Sequence, residues 1–498
     1  MVLGAAIIRF WNFGSLGYQH WDEYFFISGA DVVSRHLRKG FESVDSVIAP
    51  LVSLTDGTLF HVFGVNGWIP LAVSATYGTL SAVALYFLGS RLFGNAVGLI
   101  AAAILATAEY SVMYSRMALA EATFLFWLIM SVLFVWLGFT RRRFGYWVLA
   151  GVSSGLLLNT KYDGAFPLVL AASWLVVEFV VDRVRGRSGL LSNAWSEYAP
   201  RVVGVAGMVA IALLLFTPWI LKLAGNPGFH VFFAQHAGFF LTKTPPIFVA
   251  WYFWLFASPP TVVLAVAGIA VAVVRFTRAD RLLLIYTAGW VIAIFMFDPY
   301  PREALSLLPA VAIWAARAIV ELWKLVRTWR PRVPLAATAA SAVCAAAILV
   351  GQLLPLPQML SLRTRGYADA GVIAAQYQST GSTIVVQAQD VAYLYLKGTY
   401  RLRATPSMVQ LLTEKGSTIV FMTDQTMLDF HLQAIFFDLN LDRLKVIDRV
   451  PNPLYDDVFL QPATYYGLSH LDDPPDSYRY ITFWRVTGPL LFPPSWGL

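Results

Sequence analysis

The chain has 498 residues, 58% of them hydrophobic and 13% charged, with a formal net charge of +7. Soluble domains average about 45–50% apolar and about 25% charged residues because their surfaces need polar cover, so most of this chain is excluded from being a soluble enzyme. A basic balance that would suggest nucleic acid in a soluble protein here reports basic cytoplasmic loops, and no nucleic-acid partner is expected. The single cysteine, Cys344, excludes an intrachain disulfide and a cysteine-built metal site.

A bilayer core about 30 Å thick needs about 20 mostly apolar residues as helix, since each backbone polar group must be satisfied within its own segment. In chain order such runs cover residues 65–90, 95–114, 117–139, 144–160, 164–181, 202–221, 254–274, 282–297, 303–323 and 335–354. An eleventh lies at the start. Only MVLGAAII precedes Arg9 there, so this span must continue through Phe10 to Leu16, which suggests that part of it is missing.

Lys and Arg alternate between the connections. One set holds Arg91, Arg141 to Arg143, Arg183, Arg185, Arg187, Arg275, Arg278, Arg281, Lys324, Arg327, Arg330 and Arg332, and is assigned to the cytoplasm. The other set carries only Arg35, Arg38, Lys39, Arg116, Lys161, Lys222, Lys243 and Arg302 over more sequence. With the amino terminus cytoplasmic, eleven spans put the carboxyl terminus outside a plasma membrane.

After Pro355 and Pro357 the texture changes. Helices are predicted near 367–379, 406–414 and 424–438, with strands at TIVVQA, STIVFM, 444–450 and 479–486. The expected fold is therefore a polytopic α-helical membrane domain over 1–357 followed by an extracytoplasmic α/β domain over 358–498.

Charges on the outer connections are the candidates for chemistry. The loop from 18 to 64 opens with His20, Trp21, Asp22, Glu23 and Tyr24. A partly desolvated carboxylate there can act as a general base or metal ligand, whereas a solvated loop acid does neither. Arg116 and Glu121 straddle the start of an apolar helix, where charges either pair structurally between helices or line a cavity. Lys161 either binds phosphate or snorkels to the interface, and Arg302 suits phosphate oxygens. The loop 222–253 adds His230, His236 and Lys243 as an interfacial element or acceptor groove. A divalent metal shared by these histidines with Asp22 or Glu23 is left open, without a fixed ligand spacing such as H-E-x-x-H.

The order of features carries a resemblance. Asp22-Glu23 is followed by Ala49-Pro50-Leu51, by Leu59-Phe60-His61-Val62-Phe63-Gly64, by Arg91-Leu92-Phe93-Gly94, and by Tyr114-Ser115-Arg116 with Glu121. Gly155 with Thr160-Lys161-Tyr162, and Arg302 with Pro309, complete it. This resembles the protein O-mannosyltransferase-like branch of the GT-C glycosyltransferases, which includes the lipid A aminoarabinose transferases, over about residues 9–320.

The resemblance implies inverting transfer of a sugar from a polyprenyl-phosphate donor in the bilayer to an extracytoplasmic protein, lipid or glycan acceptor. It casts Asp22 as the base, Glu23 as its assistant, and Arg116, Lys161 and Arg302 as holders of the donor phosphate. His20, Glu121 and His236 would support them, although Glu121 stands where many members carry Asp. The absence of G-x-x-x-x-G-K-[ST], and of Asp-x-Asp in the outer membrane loops, agrees with a lipid-borne donor. Two alternatives are a transporter or flippase-associated protein for polyprenyl-linked glycans and an oligosaccharyltransferase. The first would show related halves, and the second a Trp-Trp-Asp signature in the outer domain; neither feature is present.

Overall fold

The computed structural model describes residues 2–18, 21–39, 48–185, 191–226, 253–254, 257–296, 301–329, 334–361, 364–387, 392, 394–396, 400–402, 409, 411–413, 415–423, 439–451 and 480–491. Two compact units divide the chain. The first comprises residues 1–11 and 29–360, the second residues 12–28 and 361–498. The segment 12–28, which the sequence reading leaves with the membrane domain, is thus counted with the second unit.

The first unit is helical. It begins with α1 (Val2–Phe10), and α2 (Trp21–Arg35) enters it from the other unit at Gly29. There follow α3 (Leu51–Phe63), α4 (Trp68–Phe93), α5 (Asn95–Thr107), α6 (Glu109–Tyr114), α7 (Glu121–Arg141), α8 (Phe144–Leu158), α9 (Phe166–Val184) and α10 (Leu191–Ala224). The series closes with α11 (Pro259–Arg275), α12 (Arg278–Met296), α13 (Leu308–Trp329), α14 (Pro334–Leu353) and α15 (Leu356–Ser361).

Among the described residues five segments are long and apolar enough to cross a bilayer: Trp68–Phe93, Glu121–Arg141, Tyr162–Val184, Tyr198–Ala224 and Arg302–Thr328. The chain is a multi-pass membrane protein. Several of the other expected spans are shorter helices, for identifiable reasons. The run 95–114 breaks at Ala108, whose extended ψ of 122° separates α5 from α6. The first span does not continue to Leu16, because Asn12 turns left-handed (φ 50°) two residues after α1 ends. Residues 301–307 form a 3-10 turn, so that α13 starts only at Leu308.

Tight turns and small residues set the packing. Gly94 stops α4 at φ 99°, a conformation open to glycine, and lets α5 start at the next residue. Gly268 of α11 lies so close to α13 that a Cβ there would clash with the Trp314 carbonyl. The interior of α13 is almost wholly buried, with Trp314 inaccessible to solvent.

The second unit holds a mixed five-stranded sheet and α16 (Gly366–Ser379). The strands are β1 (Thr383–Gln387), β2 (Tyr400–Leu402), β3 (Ile419–Thr423), β4 (Leu444–Pro451) and β5 (Tyr480–Val486), in the order β2-β1-β3-β5-β4. β1 runs parallel to β2 and β3, while β5 runs antiparallel to β3 and β4. Ile419 to Thr423 are all buried, as a continuous apolar run in a central strand should be. Val385, Phe421, Val409, Leu412 and Leu444 pack into the core on this sheet. β2 has three residues and carried no periodicity from which to predict it; the helix expected at 424–438 lies outside the described residues.

Candidate functional site

Within the first unit, three separate turns bring ionised side chains together. Glu121 opens α7. Lys161 follows α8, where its extended backbone (φ −151°, ψ 152°) ends the helix before the 3-10 turn Tyr162–Ala165. Arg302 and Glu303 lie in the 3-10 turn ahead of α13.

Lys161 Nζ is 2.5 Å from Glu303 Oε1 and 3.6 Å from Glu121 Oε1. Arg302 Nε lies 3.6 Å from Glu303 Oε1 and 3.9 Å from Glu121 Oε1. Two cations thus alternate with two carboxylates. The carboxylates are 5% and 7% exposed, whereas Lys161 and Arg302 keep 19% and 27% of their side chains accessible, so the cations are the groups an incoming anion can reach. Burial alone would push the Lys161 ammonium down, but Glu303, Asp163 and Glu121 more than offset it and hold Lys161 charged well above its ordinary range. Its ammonium also lies 5.6 Å from the centre of the Phe124 ring. Glu121 Oε2 is buried with no hydrogen-bond partner among the described residues.

Arg116 is placed differently. Its Nη1 donates to the carbonyls of Ile8, Arg9 and Trp11 at 3.3, 3.2 and 2.7 Å, and so caps the end of α1. One step deeper, the fully buried Arg9 donates to the Ala106 carbonyl at 3.0 Å and to Ser111 Oγ at 2.9 Å. Neither contact was legible in the sequence, because short-range spacing does not show which helix ends meet.

Asp22 and Glu23 occupy the first turn of α2 in the second unit, where the helix dipole favours anions. Asp22 is half-buried and Glu23 is inaccessible to solvent. In the same unit the Tyr18 backbone N–H donates to Tyr395 Oη at 2.8 Å. The Tyr395 phenol is pushed up by burial first and then by the Glu23 charge, against the Tyr18 bond.

The structure therefore joins three predicted residues, Glu121, Lys161 and Arg302, and adds Glu303. That residue stood beside Arg302 in the sequence without a signal of its own. His20 and His236 lie outside the described residues. Among the described residues no group of three or more His, Cys, Asp or Glu side chains is assembled for a metal.

Residues 48–221 match the family model described as dolichyl-phosphate-mannose-protein mannosyltransferase. No curated protein sequence matches the chain significantly. Among solved structures, ArnT from Cupriavidus metallidurans bound to undecaprenyl phosphate is 15% identical, with a TM-score of 0.62 and 98% of each chain covered. The apo oligosaccharyltransferase of Archaeoglobus fulgidus is 12% identical, with a TM-score of 0.58 over 86% of this chain and 69% of that one. The same organism's AglB, in complex with an inhibitory peptide and a dolichol-phosphate, is 13% identical with a TM-score of 0.56, over 84% of this chain and 69% of that one. The chain has the fold of the GT-C superfamily, a helical membrane domain with an additional small sheet domain.

Proposed function

We propose that the protein is a GT-C glycosyltransferase that moves a sugar from a polyprenyl-phosphate carrier to an extracytoplasmic acceptor. The observation that carries this reading is the Lys161–Arg302 pair, two accessible cations fixed by Glu121 and Glu303 at the ends of apolar helices. Such a pair suits a phosphate that arrives within a bilayer. Preorganised cations act most where charge develops, and here that is the phosphate oxygen released as the anomeric C–O bond breaks. Glu121 and Glu303 restrain the two cations, so little ordering is left for the moment of reaction.

On this reading Asp22 takes the proton of the acceptor hydroxyl as its oxygen bonds to the anomeric carbon. The sugar is inverted and the polyprenyl phosphate leaves. Glu23 assists that base or orients the acceptor. Arg116, the third cation that the resemblance assigns to the phosphate, is buried and spends Nη1 on the end of α1, so Lys161 and Arg302 carry that role. Sidedness follows the loop bias, with the Lys161 turn and the sheet unit outside.

The family model's description, a mannosyltransferase that uses dolichyl-phosphate-mannose, supports transfer of a single sugar, and the likeness to ArnT bound to undecaprenyl phosphate supports a polyprenyl-phosphate carrier. Oligosaccharide transfer is the second reading, supported by the likeness to the archaeal oligosaccharyltransferase. The test offers purified protein polyprenyl-phosphate monosaccharides and a lipid-linked oligosaccharide, and reads release of the lipid carrier. Release from monosaccharide donors alone is expected. Release from the oligosaccharide alone selects the second reading, and release from neither overturns both.

A further inference from the structure

The opposite ends of α7, α9 and α13 carry a second set of charges that the transfer reaction does not use. Along α7, Glu121 and Trp136 are separated by roughly 22 Å at about 1.5 Å per residue. Around Trp136 a cavity of about 380 Å³ is lined by Phe93, Arg275, Arg278, Arg317, Glu321 and Lys324, among others.

The ion pairs leave positive charge over. Glu321 is shared by Arg275 Nη2 at 2.6 Å and Lys324 Nζ at 2.9 Å. Glu178 accepts two bonds from Arg281, at 2.6 and 2.9 Å, and one from Arg278 Nε at 2.8 Å. One carboxylate therefore serves two cations in each set. Asp182, 3.9 Å from Arg278 and bonded by the Tyr198 hydroxyl at 2.6 Å, offsets one more of these cations, which leaves a surplus of one positive charge. Arg317 pairs with Asp280 and lies 4.4 Å over the Phe93 ring. The surplus is presented rather than sealed, since Arg275, Arg278 and Lys324 are 52%, 38% and 50% exposed.

We propose that this cavity binds a phosphate-bearing anion of phospholipid-headgroup size, independently of the transfer site. Arginine forks and a lysine ammonium around an opening walled by Phe93 and Trp136 match a phosphate that carries an apolar remainder. The loop bias assigns Arg275, Arg278 and Lys324 to the cytoplasmic side, where anionic headgroups meet basic pockets between membrane helices. The same phosphate chemistry is offered by free inorganic phosphate.

The test measures the thermal midpoint of the purified full chain. It is reconstituted in phosphatidylcholine alone or with phosphatidylglycerol, and separately held in detergent with inorganic phosphate or chloride at equal ionic strength. The comparison protein carries Arg275→Gln, Glu321→Gln and Lys324→Gln together, which removes two exposed cations and the acid they share. A rise of several degrees that the variant loses by at least half is expected. A rise with phosphatidylglycerol alone identifies a lipid headgroup, and a rise with inorganic phosphate identifies the free ion. No rise in the unmodified chain, or an equal rise in the variant, overturns the proposal. If the triple variant does not fold, Lys324→Gln alone is read by native mass spectrometry of bound phosphatidylglycerol. Fewer bound lipids are expected, and an unchanged number refutes the site.

Discussion

Arg281 grips Glu178 at two points, Nε to Oε1 at 2.6 Å and Nη2 to Oε2 at 2.9 Å, with both side chains almost wholly buried. The fork ties α12 to α9, and Arg278 at 2.8 Å and the Trp174 indole at 3.1 Å bring the bonds on Glu178 to four. Breaking one side of a buried pair strands the other charge, at a cost of about 3–5 kcal/mol. Glu178→Met strands the buried Arg281 and should lower the thermal midpoint strongly, whereas Arg281→Met leaves Glu178 with Arg278 at 2.8 Å and should lower it less. A larger loss in Arg281→Met than in Glu178→Met would overturn this ordering.

The Lys161–Glu303 pair separates stability from activity. Lys161→Met should reduce transfer by about 100-fold or more, the scale of removing one preorganised donor at developing charge, and raise the donor KM. Adding Glu303→Gln removes the stranded carboxylate, so the thermal midpoint should return while activity should not. A double variant with restored turnover would assign Lys161 a purely structural role.

Asp22→Asn preserves the shape of the first turn of α2 but, on the proposed reading, cannot take the acceptor proton. Turnover should vanish while stability falls by no more than about 1 kcal/mol, the scale of losing an anion at a helix N-terminus. Measurable turnover in this variant removes Asp22 from the base role.

Asp56, fully buried in the short helix α3, has its carboxyl raised by burial to about 8 from an ordinary 3.8. The folded state therefore prefers the protonated acid. Its contribution to stability is fully present below pH 3.8 and is lost as the pH rises through about 8. Asp56→Asn should flatten the fall in thermal midpoint between pH 4 and 8. The same fall in both proteins would place the titration elsewhere.

Gly268→Ala tests the closest approach of α11 to α13. A Cβ there would meet backbone atoms of Trp314, which cannot swing aside as a side-chain end can. The helices must part, with an overpacking loss of about 1–3 kcal/mol, while Gly4→Ala, inside α1 with open space around it, should leave stability unchanged or raise it by up to about 1 kcal/mol. An unchanged midpoint for Gly268→Ala would show that the helices part at no cost.

The apolar runs made most helices legible, since spans such as 117–139 and 144–160 return as α7 and α8 within a few residues. The ends were less visible, because Asn12 and Ala108 break helices through backbone angles that hydropathy does not encode. Arg302 stood out as a lone outer cation. Glu303, its neighbour, needed three-dimensional pairing with Lys161 to be recognised. Arg116 looked similar to Arg302 in sequence, yet it spends Nη1 on the end of α1, a difference that only tertiary packing decides.

The second unit is assembled from both ends of the chain. The Gly17 backbone N–H donates to Thr364 Oγ1 at 3.0 Å, the Thr364 hydroxyl returns a bond to the Gly17 carbonyl at 3.2 Å, and the Thr364 N–H reaches the Ser15 carbonyl at 3.1 Å. At about 5–20 residues per second, a ribosome delivers those partners some tens of seconds after Gly17 has emerged. During that interval the first turn of α2 exists without the Tyr395 hydroxyl that meets Tyr18 in the complete unit, so on the proposed reading of Asp22 the sheet unit must be completed before transfer can begin.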